Sequence, residues 1–117
     1  MEFEVNDKVY EVKLNIRFVR ALDRLYKIEE SGLSMGMGVT FGYSALDTYS
    51  IGELSKILPL AIGEKLTVGQ VDELIEQYAE ENDGLSGLFE GLKDALKVSP
   101  VTKDTVGNYL NSLQENQ

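Results

Sequence analysis

The 117-residue chain carries 20 acidic and 11 basic residues for a net charge of −9, is 43% hydrophobic and 26% charged, and contains neither cysteine nor histidine. This is the balance of a soluble globular domain, long enough to hide roughly two-thirds of its unfolded surface, and it argues against wholesale disorder. It also excludes a disulfide framework, a thiol nucleophile and the commonest general base and metal ligand, while the acidic balance opposes binding to nucleic-acid phosphates or anionic membranes.

No apolar run is long enough to cross a bilayer, and the chain opens on an acidic strand rather than on a basic region followed by an apolar one. A cytosolic protein with protein partners is therefore expected. Residues 1–117 read as a single domain: a β-hairpin over 1–14, a helical core over 15–98 and a short C-terminal helix over 101–114.

In the first strand Phe3 and Val5 alternate with Glu2, Glu4 and Asn6. Asn6-Asp7 marks a two-residue hairpin turn, since both residues tolerate positive φ. The return strand, Lys8 to Leu14, places Tyr10, Val12 and Leu14 on one face. Asn15 is a suitable N-cap for a helix running to about Ile28. Its apolar stripe is Phe18, Leu22, Leu25 and Tyr26, and Arg17, Arg20, Arg24 and Lys27 lie opposite. A two-stranded ribbon is marginal alone, so these first 28 residues are expected to be the platform on which later helices pack.

Gly32 is a natural helix terminator. From Leu33 to Tyr43 every odd position is apolar, the period of a strand, yet Gly36, Gly38 and Gly42 weaken that reading. The preferred reading is a flexible Gly/Met segment to about Gly38 and a short helix to about Thr48. Ser50-Ile51-Gly52-Glu53 has the form of a capping box opening a helix whose buried face is Ile51, Leu54, Ile57, Leu58, Ala61 and Ile62. Pro59 should kink or break it, and Gly63 should close it.

A second capping box, Thr67-Val68-Gly69-Gln70, opens a helix with Val68, Val71, Leu74, Ile75, Tyr78 and Ala79 on one stripe. Its outer face holds Asp72, Glu73, Glu76, Glu80 and Glu81. The next helix, about 84–98, turns Leu85, Leu88, Phe89, Leu92, Ala95 and Leu96 inward, with Gly87 and Gly91 outward. Ser99-Pro100 interrupts the chain before a last helix carrying Val106, Tyr109, Leu110 and Leu113. The fold class is thus α+β, mainly α: an N-terminal β-hairpin followed by about five amphipathic helices.

Nothing in this pattern carries recognisable catalysis. Acidic pairs such as Asp72/Glu76 and Glu76/Glu80 read as a solvated helix face rather than as an acid–base pair or a divalent-ion site. The glycines of residues 32–42 match no phosphate-binding motif. No catalytic, metal or cofactor-binding residue is assigned.

The basic stripe of Arg17, Arg20, Arg24 and Lys27 could meet the acidic face at Asp72, Glu76 and Glu80, within the chain or on another copy of it. Two apolar groups are candidate partner-binding residues. Met35, Met37 and Phe41 combine adaptable side chains with glycine mobility, and Tyr109, Leu110 and Leu113 project from the final helix.

The run Glu2-Phe3-Glu4-Val5-Asn6-Asp7-Lys8-Val9-Tyr10-Glu11-Val12 is followed by Phe18-Val19-Arg20-Ala21-Leu22-Asp23, Gly36-Met37-Gly38 and, after the middle helices, Leu96-Lys97-Val98-Ser99-Pro100-Val101-Thr102. In order and spacing, this series resembles the tail assembly chaperones of long-tailed, siphovirus-type phages of Gram-positive bacteria. The resemblance spans nearly the whole chain and contains no catalytic signature.

It implies a non-enzymatic protein of the host cytoplasm, acting in virion assembly and absent from the mature virion. Such a protein would coat the hydrophobic tape measure protein and help bring tail tube protein to it. It would act as a homo-oligomer, alongside a frameshift-extended form of itself, and a chain ending at Gln117 looks like the shorter form. The alternative is a small acidic regulator or inhibitor occupying a basic site on a host protein.

Overall fold

The structure, a computed structural model, describes residues 1–30 and 33–115, the side chains of 28–30 and 33–35 lying outside that description. Strands β1 (Glu2–Val5) and β2 (Lys8–Glu11) form an antiparallel hairpin in which Phe3 faces Tyr10. Asn6 and Asp7 take φ of 52° and 63°, the left-handed pair that a tight hairpin turn requires. The rings of Phe3 and Tyr10 stack at 5.3 Å across the strands.

Pairing within β2 stops at Glu11 rather than reaching Leu14. Beyond it, the Val12 amide donates to the Met1 carbonyl at 2.9 Å and the Lys13 amide to the Ala61 carbonyl at 2.8 Å, so the chain leaves its sister strand to dock on a helix end.

Helix α1 (Ile16–Leu25) is capped as expected, with the Asn15 side chain accepting from the Phe18 amide at 2.9 Å. It ends earlier than its stripe suggests. The Tyr26 carbonyl, which would continue the helix, instead accepts from the Met37 amide at 3.2 Å. Lys27 and Ile28 belong to β3 (Lys27–Glu30), which pairs antiparallel with β4 (Leu33–Gly36). This second hairpin replaces the expected flexible segment, and the apolar alternation from Leu33 was its signal. Gly32, the expected helix terminator, lies outside the described residues.

Helix α2 (Gly38–Asp47) follows, and α3 (Ile51–Ile62) runs on through Pro59 without a break. Only half of the capping box expected of α3 forms. The Ser50 hydroxyl accepts from the Glu53 amide at 3.4 Å, but the Ser50 amide donates to the Ala45 carbonyl and Glu53 pairs with Lys56. Gly63, at φ +69°, terminates α3 in the left-handed geometry that glycine adopts without strain.

Helix α4 (Val68–Asn82) has both halves of its box, from Thr67 and Gln70. Helices α5 (Ser86–Val98) and α6 (Lys103–Glu115) complete the chain. The fold is mainly α with an N-terminal antiparallel hairpin, as the patterning indicates.

The hub of the core is α2 and not the first 28 residues: it packs against α1, α3, α5 and α6. Its Val39, Tyr43 and Leu46 are buried with Phe18 and Leu22 of α1, Leu54, Ile57 and Leu58 of α3, and Leu88, Phe89 and Leu92 of α5. A helix enclosed on this many sides shows no clean polar face in sequence, which is why it was the least legible segment. Ile51 and Val68, expected on buried stripes, are exposed at the first turns of their helices, and Leu25, expected on the stripe of α1, is exposed at its end.

Candidate protein-binding surfaces

Among the described residues, three surfaces could receive a partner. The first is an apolar groove of about 580 Å³ between the N-terminal strand and α5, with Met1, Val12, Leu14, Ala95, Val98 and Pro100 among its lining residues and Asp94 as its charged edge. The path of residues 12–14, docked on Ala61, holds one wall, and the extended Ser99 that ends α5 turns Pro100 into the other. Gly91, expected on an outer face, lies beneath the end of Met1. Val98 is 74% exposed at the rim, and Met1 and Val101 are also exposed. None of these residues was assigned to a binding surface from sequence, because the groove is made by elements far apart in the chain.

The second surface is a groove of about 650 Å³ between the first hairpin and α4. Val5, Tyr10, Leu66 and Leu74 contribute apolar lining, and Glu73, Glu76 and Glu80 contribute negative charge. Lys8 is tied back here, 3.6 Å from Glu64 and 4.6 Å above the Tyr10 ring. Glu81, expected to be a free surface carboxylate, accepts from the Asn6 amide at 2.8 and 3.1 Å and so fixes the hairpin turn to α4.

The third is the basic stripe. Arg17, Arg20 and Arg24 are exposed along α1, whereas Lys27 falls in β3. Asp72, Glu76 and Glu80 are exposed on α4. Among the described residues no ion pair joins Arg17, Arg20 or Arg24 to those carboxylates, so these three arginines are not paired with the acidic face within the chain.

The apolar candidates divide. The Met35 side chain lies outside the described residues. Met37 is half-buried, and Phe41, 39% exposed, sets its ring edge-on to Tyr26 at 6.2 Å. Tyr109 and Leu110 pack against the core, Tyr109 edge-on to the buried Tyr43 at 6.1 Å, while Leu113 is 43% exposed.

One polar cluster bolts helices together. Lys93, almost enclosed, reaches Asp47 at 2.7 Å and Glu90 at 3.2 Å, and the Tyr49 hydroxyl donates to Glu90 at 2.7 Å. The bond to Asp47 holds the Lys93 ammonium above its ordinary value, and the bond from Tyr49 holds the Glu90 carboxyl below its own. This arrangement ties the end of α2 to α5.

The buried Tyr26 hydroxyl faces Glu53 without the geometry of a hydrogen bond. Burial first, then the charge of Glu53, pushes its phenol up to about 12. Among the described residues no group of three or more acidic side chains is placed to hold a metal, and no helix is long and apolar enough to span a membrane.

Fold and surface together define a small, mainly helical protein whose described residues form an apolar groove and a groove rimmed with carboxylates. The family model described as phage tail assembly chaperone protein, TAC, matches residues 2–110, and the chain belongs to that family. Neither a curated protein nor a solved structure matches it. The likeness seen in sequence and the family assignment coincide in naming a phage tail assembly chaperone, and the assignment makes protein partners in tail assembly the expected ligands.

Proposed function

We propose that this protein binds and solubilises the tape measure protein during tail morphogenesis and helps recruit tail tube subunits to it, without catalysis. The observation that carries this reading is the apolar groove beside α5. Its lining of Met1, Val12, Leu14, Ala95 and Val98 is short of polar groups, so it favours apolar side chains of a helical client over any one register. Methionine at its mouth can repack around different side chains. The net charge of −9 supplies the solvated exterior that keeps a greasy complex dispersed.

On this reading the protein works in the host cytoplasm, is left out of the finished particle and has a frameshift-extended counterpart. Co-expression with the tape measure protein tests it: the soluble fraction of the client should rise several-fold. An unchanged soluble fraction would refute the chaperone role. Binding should weaken little with salt, whereas an acidic inhibitor of a basic site would weaken steeply.

A further inference from the structure

We propose that the exposed face of α1 is a docking surface separate from the grooves, and that it takes an acidic amphipathic helix of a partner protein through arginine–carboxylate pairs. The three arginines of the chain, Arg17, Arg20 and Arg24, all lie on this face, and its other eight cations are lysines. A face that needed only solvation would be served by either residue. Arginine differs in presenting a planar fork of donors, which meets a carboxylate or a phosphate with two parallel hydrogen bonds, and in being more weakly hydrated than lysine.

Arg17, Arg20 and Arg24 stand at i, i+3 and i+7, a row about 10 Å long at about 1.5 Å per residue. All three are exposed, and among the described residues no ion pair engages them. Asp23, the one acidic residue of α1, is committed to α2, where its Oδ1 accepts from the Gly38 amide. The Arg17 guanidinium lies against Gly63 at the C-terminal end of α3, the end of a helix that favours a cation, so this member of the row is already seated. Ile16, one turn before Arg20 and exposed, adds an apolar contact to the same face.

The charge of the whole molecule decides between the two anions that an arginine fork fits. At −9 overall, the chain repels a nucleic-acid backbone at long range, whereas a short row of carboxylates on a partner helix meets only the local positive face. Carboxylates at the same spacing oppose the row one for one, and an apolar residue one turn away covers Ile16. The face lies outside the apolar groove, so this docking does not rest on the reading of that groove as the client site.

The test is fluorescence anisotropy of a labelled synthetic peptide titrated with the full chain. The peptide is an alanine- and glutamine-based helix of about 20 residues, long enough to hold its helix, with glutamates at i, i+3 and i+7 and a leucine one turn before them. A peptide of the same composition with its glutamates spread around the helix and a short DNA duplex serve as comparisons. Two triple variants are compared with the wild type: Arg17→Glu, Arg20→Glu and Arg24→Glu in one, and Arg17→Lys, Arg20→Lys and Arg24→Lys in the other. Circular dichroism checks that folding is kept.

The wild type should bind the patterned peptide and lose about tenfold in affinity between low and high salt. The glutamate variant should lose about tenfold or more at low salt, and the lysine variant several-fold, since it keeps the charge and loses the fork. No binding, equal binding of the spread peptide, tighter binding of the duplex, or a lysine variant that binds like the wild type overturns the proposal. So does a fall in sedimenting mass of the glutamate variant alone relative to the wild type, which would assign the row to a second copy of the chain. If a triple variant fails to fold, Arg20→Glu and Arg20→Lys are read by the same criteria.

Discussion

The Gly38 amide donates to Asp23 Oδ1 at 2.9 Å, so the first turn of α2 is capped by a side chain from α1 rather than by its own preceding residue, Met37. The same glycine is pressed against α1. A Cβ there would stand 2.4 Å from the Leu22 carbonyl carbon and 2.5 Å from the Asp23 nitrogen, both backbone atoms that cannot swing aside. Gly38→Ala should therefore part the two central helices and cost about 1–3 kcal/mol or more. Asp23→Ala, which removes only the cap, should cost about 1 kcal/mol. Urea unfolding monitored by circular dichroism measures both, and a smaller loss for Gly38→Ala than for Asp23→Ala would contradict the close approach.

A second repair appears where α5 ends. Leu96 would pass its carbonyl to the amide of residue 100, but that residue is proline and has none. The fully buried Thr102 hydroxyl supplies the missing donor at 2.7 Å. Thr102→Val keeps the shape and strands a carbonyl, which should cost about 1–3 kcal/mol, while Thr102→Ser should recover most of it. Equal stability of the Val and Ser variants would show that the hydroxyl is dispensable.

The pH dependence of stability follows from the shifted groups. Lys93 and Tyr26 both bind their protons more tightly folded than unfolded, above their ordinary 10.5 and 10.0. Their contributions are thus complete below pH 10.0 and are lost as pH rises through the raised values. The urea midpoint should fall in that alkaline range, and Lys93→Met should lower it at neutral pH while shrinking the further alkaline loss. Glu90 works in the opposite direction. Its carboxyl is held below the ordinary 4.5, so its contribution is present above that value and lost as pH falls. Glu90→Gln should flatten the acid limb of the stability profile.

For the apolar groove, Val98→Asp is the informative change. The residue is 74% exposed, so stability should shift by no more than about 0.5 kcal/mol. A carboxylate at the rim, beside Asp94, should nevertheless abolish most solubilisation of a co-expressed client. Full solubilisation by this variant would move the client site elsewhere, with the exposed Phe41 and Leu113 the next positions to change.

Local signals were legible wherever a residue acts on its own neighbours. Asn6-Asp7 announced the turn, Asn15 and Thr67 announced helix starts, Gly63 an end, and Ser99-Pro100 a break, because each works through backbone atoms within a few positions. Tertiary structure decided the rest. It stopped α1 at Leu25 by giving the Tyr26 carbonyl to Met37, paired residues 27–30 with 33–36, and made the glycine-rich segment the hub. It also built both grooves from residues up to about a hundred positions apart. Hydrophobic periodicity reports which face of an element is buried and says nothing of what covers it, so a partner distant in sequence leaves no local trace.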